Sequence, residues 1–137
     1  MTEIGFSGTR KGMTSRQLDV VTELLRTRRP AWLHHGCCLG ADEQTHGIAR
    51  ALGIAIEGHP PSDSRLRAFL ECDRLHKPVA YLRRNRAIVE AVSELIAAPL
   101  GVKEELRSGT WSTVRLARMK QRLVTIVWPD GSLELTP

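Results

Sequence analysis

Three parts of the sequence repeat one order: a short apolar run, a loop that contains glycine, and a segment with the spacing of an amphipathic helix. The apolar runs cover residues 4–7, 31–35 and 94–98. A strand, a loop and a helix in succession form the first half of a βαβ unit, whose two strands lie parallel in one sheet. The repeated order restricts the fold more than any other feature, because it predicts an α/β domain with a parallel sheet.

The same pattern extends over the whole chain and predicts a single domain, residues 1–137. Two further apolar runs, residues 54–58 and 123–128, complete a mainly parallel five-stranded sheet. Residues 133–135 fit a short antiparallel edge strand after a Pro-Asp-Gly turn. With helices between the strands, the expected architecture is a doubly wound, three-layer α/β sandwich.

Helix boundaries follow from capping and turn residues. Thr14 and Gln17 have the spacing of a capping box, and the helix that they begin must end before Pro30. A helix is expected from about residue 85 to residue 92, and residues 66–70 fit one short helix.

Composition limits the classes of partner. The formal net charge of +5 is compatible with a phosphate-bearing ligand, while the aromatic content of 4% is low for a surface that stacks bases. No apolar run reaches the roughly 18–20 residues of a membrane span. The N-terminus also lacks the pattern of a signal peptide, so we expect a cytoplasmic protein without a membrane partner.

Two loops have the composition of a phosphate site. They share small, hydroxyl and basic residues: Ser7, Gly8, Thr9 and Arg10 after the first strand, and Ser108, Gly109 and Thr110 after the fourth. Unpaired N–H groups at a helix start and an Arg guanidinium both donate hydrogen bonds to phosphate oxygens. Because the carboxyl ends of parallel strands meet at one edge of the sheet, we expect one shared ligand site there. The dinucleotide pattern G-x-G-x-x-G is absent.

Further residues complete the predicted site at this edge. They follow the second strand, begin a helix or follow the fourth strand: Gly36, Gly40, Asp42, Asn85, Arg86 and Pro99. Asp42 lies in a first helical turn, which favours a ribose bond or a structural role over catalysis. Glu104 and Glu105 precede Ser108 and, with Asp42, are the candidate catalytic acids.

Cys37 and Cys38 lie close in sequence to His34, His35 and His46. Adjacent cysteines chelate one tetrahedral ion poorly, and a C-x-x-C pair is absent. A nucleophilic cysteine with a histidine base is an alternative, but packed thiols beside a loop fit the pattern best. The sequence therefore predicts neither a metal nor a cofactor.

The order of these motifs resembles the SLOG superfamily. The matching stretches are Gly8-Thr9-Arg10, Gly36 with Gly40-Ala41-Asp42, Arg84-Asn85-Arg86-Ala87-Ile88, and Ser108-Gly109-Thr110. The superfamily consists of Rossmann-like domains related to the Lonely Guy (lysine-decarboxylase-like) proteins and to the DNA processing protein A family. The resemblance covers most of the chain, and it implies a Rossmann-like fold that recognises a nucleotide or nucleotide-derived ligand.

Two branches of the superfamily imply different functions. Lonely Guy phosphoribohydrolases carry P-G-G-x-G-T-x-x-E, but here the double glycine is missing and Thr113 stands in the place of the catalytic glutamate. The DNA processing branch is similar in its R-N-R and S-G-T stretches and implies binding of single-stranded DNA. A compact, stand-alone domain similar to the YpsA/YspA-like branches fits the chain best.

Three functions follow from these observations. The first is binding of a nucleotide-derived phosphorylated ligand at the C-terminal edge of the sheet, with Arg10 and Arg86 neutralising its charge. The second is an N-glycosidic hydrolase of nucleotides, similar to the phosphoribohydrolases. The third is single-stranded nucleic-acid binding through residues 83–86. The sequence leaves open whether the chain is an enzyme and whether it forms a homo-oligomer.

Overall fold

The computed structural model describes residues 2–136 and contains one mixed sheet flanked by helices. The elements in chain order are β1 (Glu3–Gly8), α1 (Ser15–Arg28), β2 (Trp32–His35), α2 (Ala41–Ala51), β3 (Ala55–Gly58), β4 (Arg74–Leu75), α3 (Tyr81–Ala91), β5 (Glu94–Ala98), α4 (Gly109–Met119), β6 (Leu123–Val127) and β7 (Leu133–Thr136). None of the helices within these residues combines the length and apolar character needed to cross a bilayer.

The sheet has seven strands in the order β4-β3-β2-β1-β5-β6-β7. All neighbours pair parallel except β6 and β7, so the predicted antiparallel edge strand is confirmed. The predicted number of five main strands is too low, because β4 was not expected. That strand has only two residues, Arg74 and Leu75, and both are exposed, so it carries no apolar pattern.

Alternating side chains of the central strands supply two apolar cores, one on each face of the sheet. On β5, Ile96 and Ala98 pack with residues of α1 and α2, whereas Leu95 and Ala97 pack with residues of α3 and α4. A strand that is buried on both faces is mostly apolar, which is why residues 95–98 form a continuous apolar run. The three layers of the predicted sandwich are confirmed.

Capping and turn residues predicted most of the compared helix ends correctly. The Thr14–Gln17 capping box is formed, and α1 ends at Arg28. However, α3 begins at Tyr81 rather than near residue 85, so the basic residues lie within its first turns instead of before them.

The predicted short helix over residues 66–70 is wrong. This segment pairs with the loop after β2 instead: Leu39 N–H donates to the Leu66 carbonyl at 3.1 Å, and Ala68 N–H donates to the Cys37 carbonyl at 2.8 Å. Phe69 is 74% exposed, so its apolar character did not signal burial. Hydrogen bonds to a distant segment outweighed the local helical spacing.

Candidate functional site

A cavity lies where the strand order reverses. From β1 the chain continues to β2 on one side, while β5 pairs with β1 on the other. Ligands of doubly wound sheets bind at this point, outside the carboxyl ends of the strands. The cavity has a volume of about 440 Å³ and is lined by the loops after β1, β2 and β5 together with the first turns of α3 and α4.

One wall of the cavity is the N-terminus of α4. Ser108 is its N-cap and accepts a hydrogen bond from Trp111 N–H at 3.3 Å. Gly109 lines the cavity where a Cβ would overlap the hydroxyl of Tyr81. The first N–H groups of a helix lack partners within the helix and, together with the dipole, attract an anion. Glycine at this position therefore allows the Tyr81 hydroxyl to lie against the helix start.

A second wall is the loop after β1. Thr9 N–H donates to the Ala98 carbonyl at 3.0 Å, which joins this loop to the end of β5. The exposed side chains of Arg10, Lys11 and Arg107 stand around the opening. The wall and the opening together provide positive charge and hydrogen-bond donors, which is the chemistry that phosphate requires.

Asp42 forms a polar wall of the cavity and is 5% exposed. Its Oδ2 accepts the N–H groups of Gly36 and Cys38, both at 3.1 Å. Its Oδ1 has no hydrogen-bond partner among the described residues. Burial raises the pKa of this carboxyl to about 6, and the Arg84 guanidinium limits the rise.

Arg84 is a buried cation of the cavity lining, and it is 4% exposed. Its Nη1 donates to the carbonyls of Gly36 at 2.5 Å and His59 at 3.3 Å, while its Nε donates to Asn85 Oδ1 at 2.8 Å. This bond fixes the Asn85 amide, whose Nδ2 lacks a partner within residues 2–136. Two residues that line the cavity therefore have one buried acceptor and one buried donor without partners among residues 2–136.

Most of the predicted site residues come together at this cavity. Those that line it are Ser7, Gly8, Thr9, Arg10, Asp42, Asn85, Glu105, Ser108, Gly109 and Thr110. Residues that also line it but were absent from the predicted ligand set are Lys11, Cys38, Leu39, Leu66, Tyr81, Arg84, Leu100 and Arg107. Arg84 could have been found from the R-R-N-R stretch, had the helix start been placed at Tyr81.

Five predicted residues lie outside the cavity lining. A Cβ on Gly36 would overlap the Arg84 guanidinium, and Gly40 adopts a φ of +87° against the Arg10 carbonyl. Both glycines thus shape the site without lining it. The Pro99 carbonyl accepts from Gln17 Nε2 at 2.9 Å, Arg86 is exposed on α3, and Glu104 pairs with Arg115 at 2.9 Å.

The adjacent cysteines, Cys37 and Cys38, are buried thiols packed in the fold. A hydrogen bond with Cys72 and burial raise the pKa of the Cys37 thiol, and burial raises that of Cys38. The thiolate is the nucleophilic form of cysteine, so a raised pKa makes both side chains poor nucleophiles. Cys38 instead lies against Arg84, with Nη1 at 3.5 Å from its Sγ.

Comparison with solved structures identifies the same architecture in proteins of low sequence identity. The molybdenum cofactor binding protein of Rippkaea orientalis is 22% identical, with 93% of this chain and 76% of that chain covered and a TM-score of 0.72. The molybdenum cofactor carrier protein of Chlamydomonas reinhardtii is 24% identical, with 92% and 76% covered and a TM-score of 0.64.

DNA processing protein A of Streptococcus pneumoniae has the same fold. It is 18% identical, with a TM-score of 0.69, and 92% of this chain matches 50% of that chain. The chain thus spans about half the length of that protein. No protein-family model matches the sequence, and no curated protein matches it. These similarities show that the chain has a Rossmann-like fold, which is the fold that the order of its motifs predicted.

Proposed function

We propose that this protein binds a nucleotide or nucleotide-derived phosphorylated ligand in the cavity at the carboxyl ends of β1 and β5. The observation that carries the proposal is the cavity lining, which combines the α4 start at Ser108 and Gly109 with the basic residues Arg10, Lys11 and Arg107. Two further lining residues, Asp42 and Asn85, each have a buried polar atom without a partner among the described residues. A buried polar atom without a partner costs about 1–3 kcal/mol. A shift of either side chain that exposes this atom to a ligand in the cavity would remove that cost.

Different parts of the cavity lining suit different parts of a nucleotide. Phosphate oxygens fit the α4 start at Ser108 and Gly109, with Arg10 and Arg107 near the opening. A ribose hydroxyl donates naturally to the Asp42 carboxylate. The volume of about 440 Å³ lies in the range of roughly 300–1,000 Å³ that small-molecule sites occupy.

The solved structures with this fold support a ligand-binding role. Their names describe molybdenum cofactor binding in two cases and, for DNA processing protein A of Helicobacter pylori, single-stranded DNA binding. These ligands differ from one another, so the relatives support binding as such more than any one compound.

A panel of nucleotides, cyclic nucleotides, nucleotide sugars and short single-stranded DNA tests the proposal by thermal shift. A ligand at 100 times its Kd stabilises the fold by about 2.7 kcal/mol, which is a readable shift. We expect one class of compound to stabilise the wild type and to lose this effect in Arg10→Ala. Arg16→Ala is the matched control, because Arg16 is an exposed arginine of α1 outside the cavity lining.

The absence of a shift with every compound, or an equal shift in Arg10→Ala, would contradict the proposal. A shift with DNA alone that weakens steeply with salt would favour nucleic-acid binding through counterion release. Arg86 then becomes the informative residue, since it is exposed on α3 beside Arg83 and outside the cavity lining.

An N-glycosidic hydrolase is the second candidate, because Asp42 supplies the acid that such chemistry needs. Its pKa of about 6 is near the value at which a carboxyl exchanges protons efficiently at neutral pH. Glu105 also lines the cavity, whereas Glu104 is turned away to Arg115. Release of free base from a nucleotide by wild type but not by Asp42→Asn supports hydrolysis, and no turnover at high protein concentration contradicts it.

A further inference from the structure

A second set of polar side chains lies on β2, β3 and the segment after β4. His34 and Glu57 are register partners on neighbouring parallel strands, so their side chains project from the same face of the sheet. His59 directly follows β3, and His76 directly follows β4, which pairs with β3. The topology therefore brings four potential metal ligands, here called the histidine group, to one place.

Glu3 of β1 sets the orientation of His34. Its Oε1 lies 2.7 Å from His34 Nε2, and an ionised carboxylate only accepts hydrogen bonds. The ring hydrogen is therefore on Nε2, and Nδ1 keeps its lone pair. A carboxylate that holds the far nitrogen of a histidine in this way is the usual outer partner of a metal-binding imidazole.

The lone pair of His34 points to the rest of the histidine group. Its Nδ1 is 2.9 Å from His59 Nε2 and 3.9 Å from Glu57 Oε2, and the donor atoms of these three residues lie within 4.8 Å of one another. The fourth donor, His76 Nε2, is 2.6 Å from Glu57 Oε2. Ligand atoms about 2.1 Å from a tetrahedral ion are about 3.4 Å apart, which lies between the two His34 distances.

We propose that His34, Glu57, His59 and His76 bind one divalent transition metal ion of the zinc class. A donor set of imidazole nitrogens with one carboxylate oxygen binds Zn²⁺ in preference to Mg²⁺ or Ca²⁺. The side chains of His34 and Glu57 are 1% and 11% exposed, whereas that of His76 is 51% exposed. The ion therefore enters past His76, and binding ties the short strand β4 to the sheet.

In the other histidine pair, a backbone N–H rather than a carboxylate holds the far nitrogen of the first ring. His35 Nδ1 accepts the Cys37 N–H at 2.9 Å, so its hydrogen is on Nε2, which donates to His46 Nδ1 at 2.9 Å. Cys72 lies beside this pair. Metal binding there would first break the bond from Cys37, which makes His46 the matched control for the histidine group.

The experiment uses the full chain after treatment with EDTA. It is titrated with Zn²⁺, bound metal is measured after gel filtration, and the visible absorption of Co²⁺ reports the ligand geometry. We expect the wild type to bind one ion per chain. The affinity for Zn²⁺ should fall about 100-fold or more in His59→Gln and in Glu57→Gln. Glu3→Gln, which acts only through His34, is expected to weaken the affinity about 10- to 100-fold. His46→Gln should retain the wild-type affinity.

Folding is checked by circular dichroism in metal-free buffer, and His76→Ala covers the case in which a buried variant fails to fold, since His76 is half exposed. Weaker Zn²⁺ binding by His76→Ala with an intact fold supports the site. Less than about 0.1 ion per wild-type chain overturns it. Wild-type affinity in both His59→Gln and His76→Ala, or an equal loss in His46→Gln, overturns it as well.

Discussion

The cavity and the histidine group both concentrate polar side chains, but they satisfy them in different ways. In the cavity, Asp42 Oδ1 and Asn85 Nδ2 are buried without partners among the described residues. In the histidine group, His34 lies between Glu3 and His59, and His76 pairs with Glu57. A ligand in the cavity adds hydrogen bonds, whereas a ligand in the histidine group must replace them.

This difference indicates what kind of ligand each region can take. An organic ligand gains in the cavity because unpaired polar atoms there cost free energy in the empty state. Only an ion with strong coordinate bonds gains by replacing a complete hydrogen-bond network. The buried groups also differ in titration: burial raises the pKa of Asp42 to about 6 but lowers that of His35 and of His59 to about 3.

Arg84→Ala breaks the connection between the two regions and should have the largest effect. Arg84 donates to the Gly36 and His59 carbonyls and to Asn85 Oδ1, so its loss leaves buried acceptors unpaired and removes a cation near Asp42. We expect a loss of about 3–5 kcal/mol in the free energy of unfolding, measured with urea at pH 7.5. The exposed neighbour Arg83 is the control, since Arg83→Ala should change it by less than about 0.5 kcal/mol. Equal effects of the two variants would contradict this role for Arg84.

Acid should destabilise the protein through its buried histidines. The pKa of His35 falls from 6.5 in the unfolded chain to about 3 in the fold because burial disfavours the charged ring. A lowered folded pKa contributes stability that is present above pH 6.5 and lost as the pH falls toward 3. From pH 7 to pH 4 we expect His35 to account for a loss of about 3 kcal/mol. In urea unfolding over this range, the free energy of unfolding of His35→Gln should decrease less with falling pH than that of wild type. An equal decrease in the two proteins would contradict the assignment to His35.

Asp42 should act in the opposite direction over an overlapping pH range. Its folded pKa of about 6 exceeds the value of 3.8 for the free side chain, so its contribution is fully present below pH 3.8 and lost as the pH rises through 6. Between pH 4 and pH 7 this amounts to about 2–3 kcal/mol. Asp42→Asn should therefore lose stability on acidification more steeply than wild type. A parallel pH profile in urea unfolding would show that this carboxyl has an ordinary pKa.

Replacement of the two helix caps should have the smallest effect on stability, and it separates an effect on stability from an effect on binding. Ser108 caps α4 at the cavity, and Thr14 caps α1 away from it. Replacement of either by alanine should lower the free energy of unfolding by about 1 kcal/mol. Only Ser108→Ala should also reduce the thermal shift that a phosphorylated ligand produces. Equal shifts in both variants would place the phosphate away from the α4 start.

The prediction of the fold succeeded where local patterns coincide with burial. Residues 94–98 were predicted as a strand and form β5 with the same bounds, because both of its faces are covered by helices. β4 was missed because its two exposed residues have no apolar pattern. Residues 66–70 were misassigned because Leu66 and Ala68 bond to residues 27 and 31 positions earlier in the chain. Single-segment periodicity does not report such distant pairing.

For the candidate site, the sequence by itself determined which loops meet at the ends of β1 and β5. Glycine, hydroxyl and basic residues at a helix start can be recognised from the local sequence alone. It also determined the order of motifs from which the Rossmann-like fold was predicted. Only the tertiary structure decided that Arg84 is buried in the cavity lining while Arg86 is exposed, because their burial depends on where α3 begins. Only the tertiary structure brings together Glu3, His34, Glu57 and His76. Contacts between neighbouring strands are set by the sheet order and register rather than by proximity along the chain.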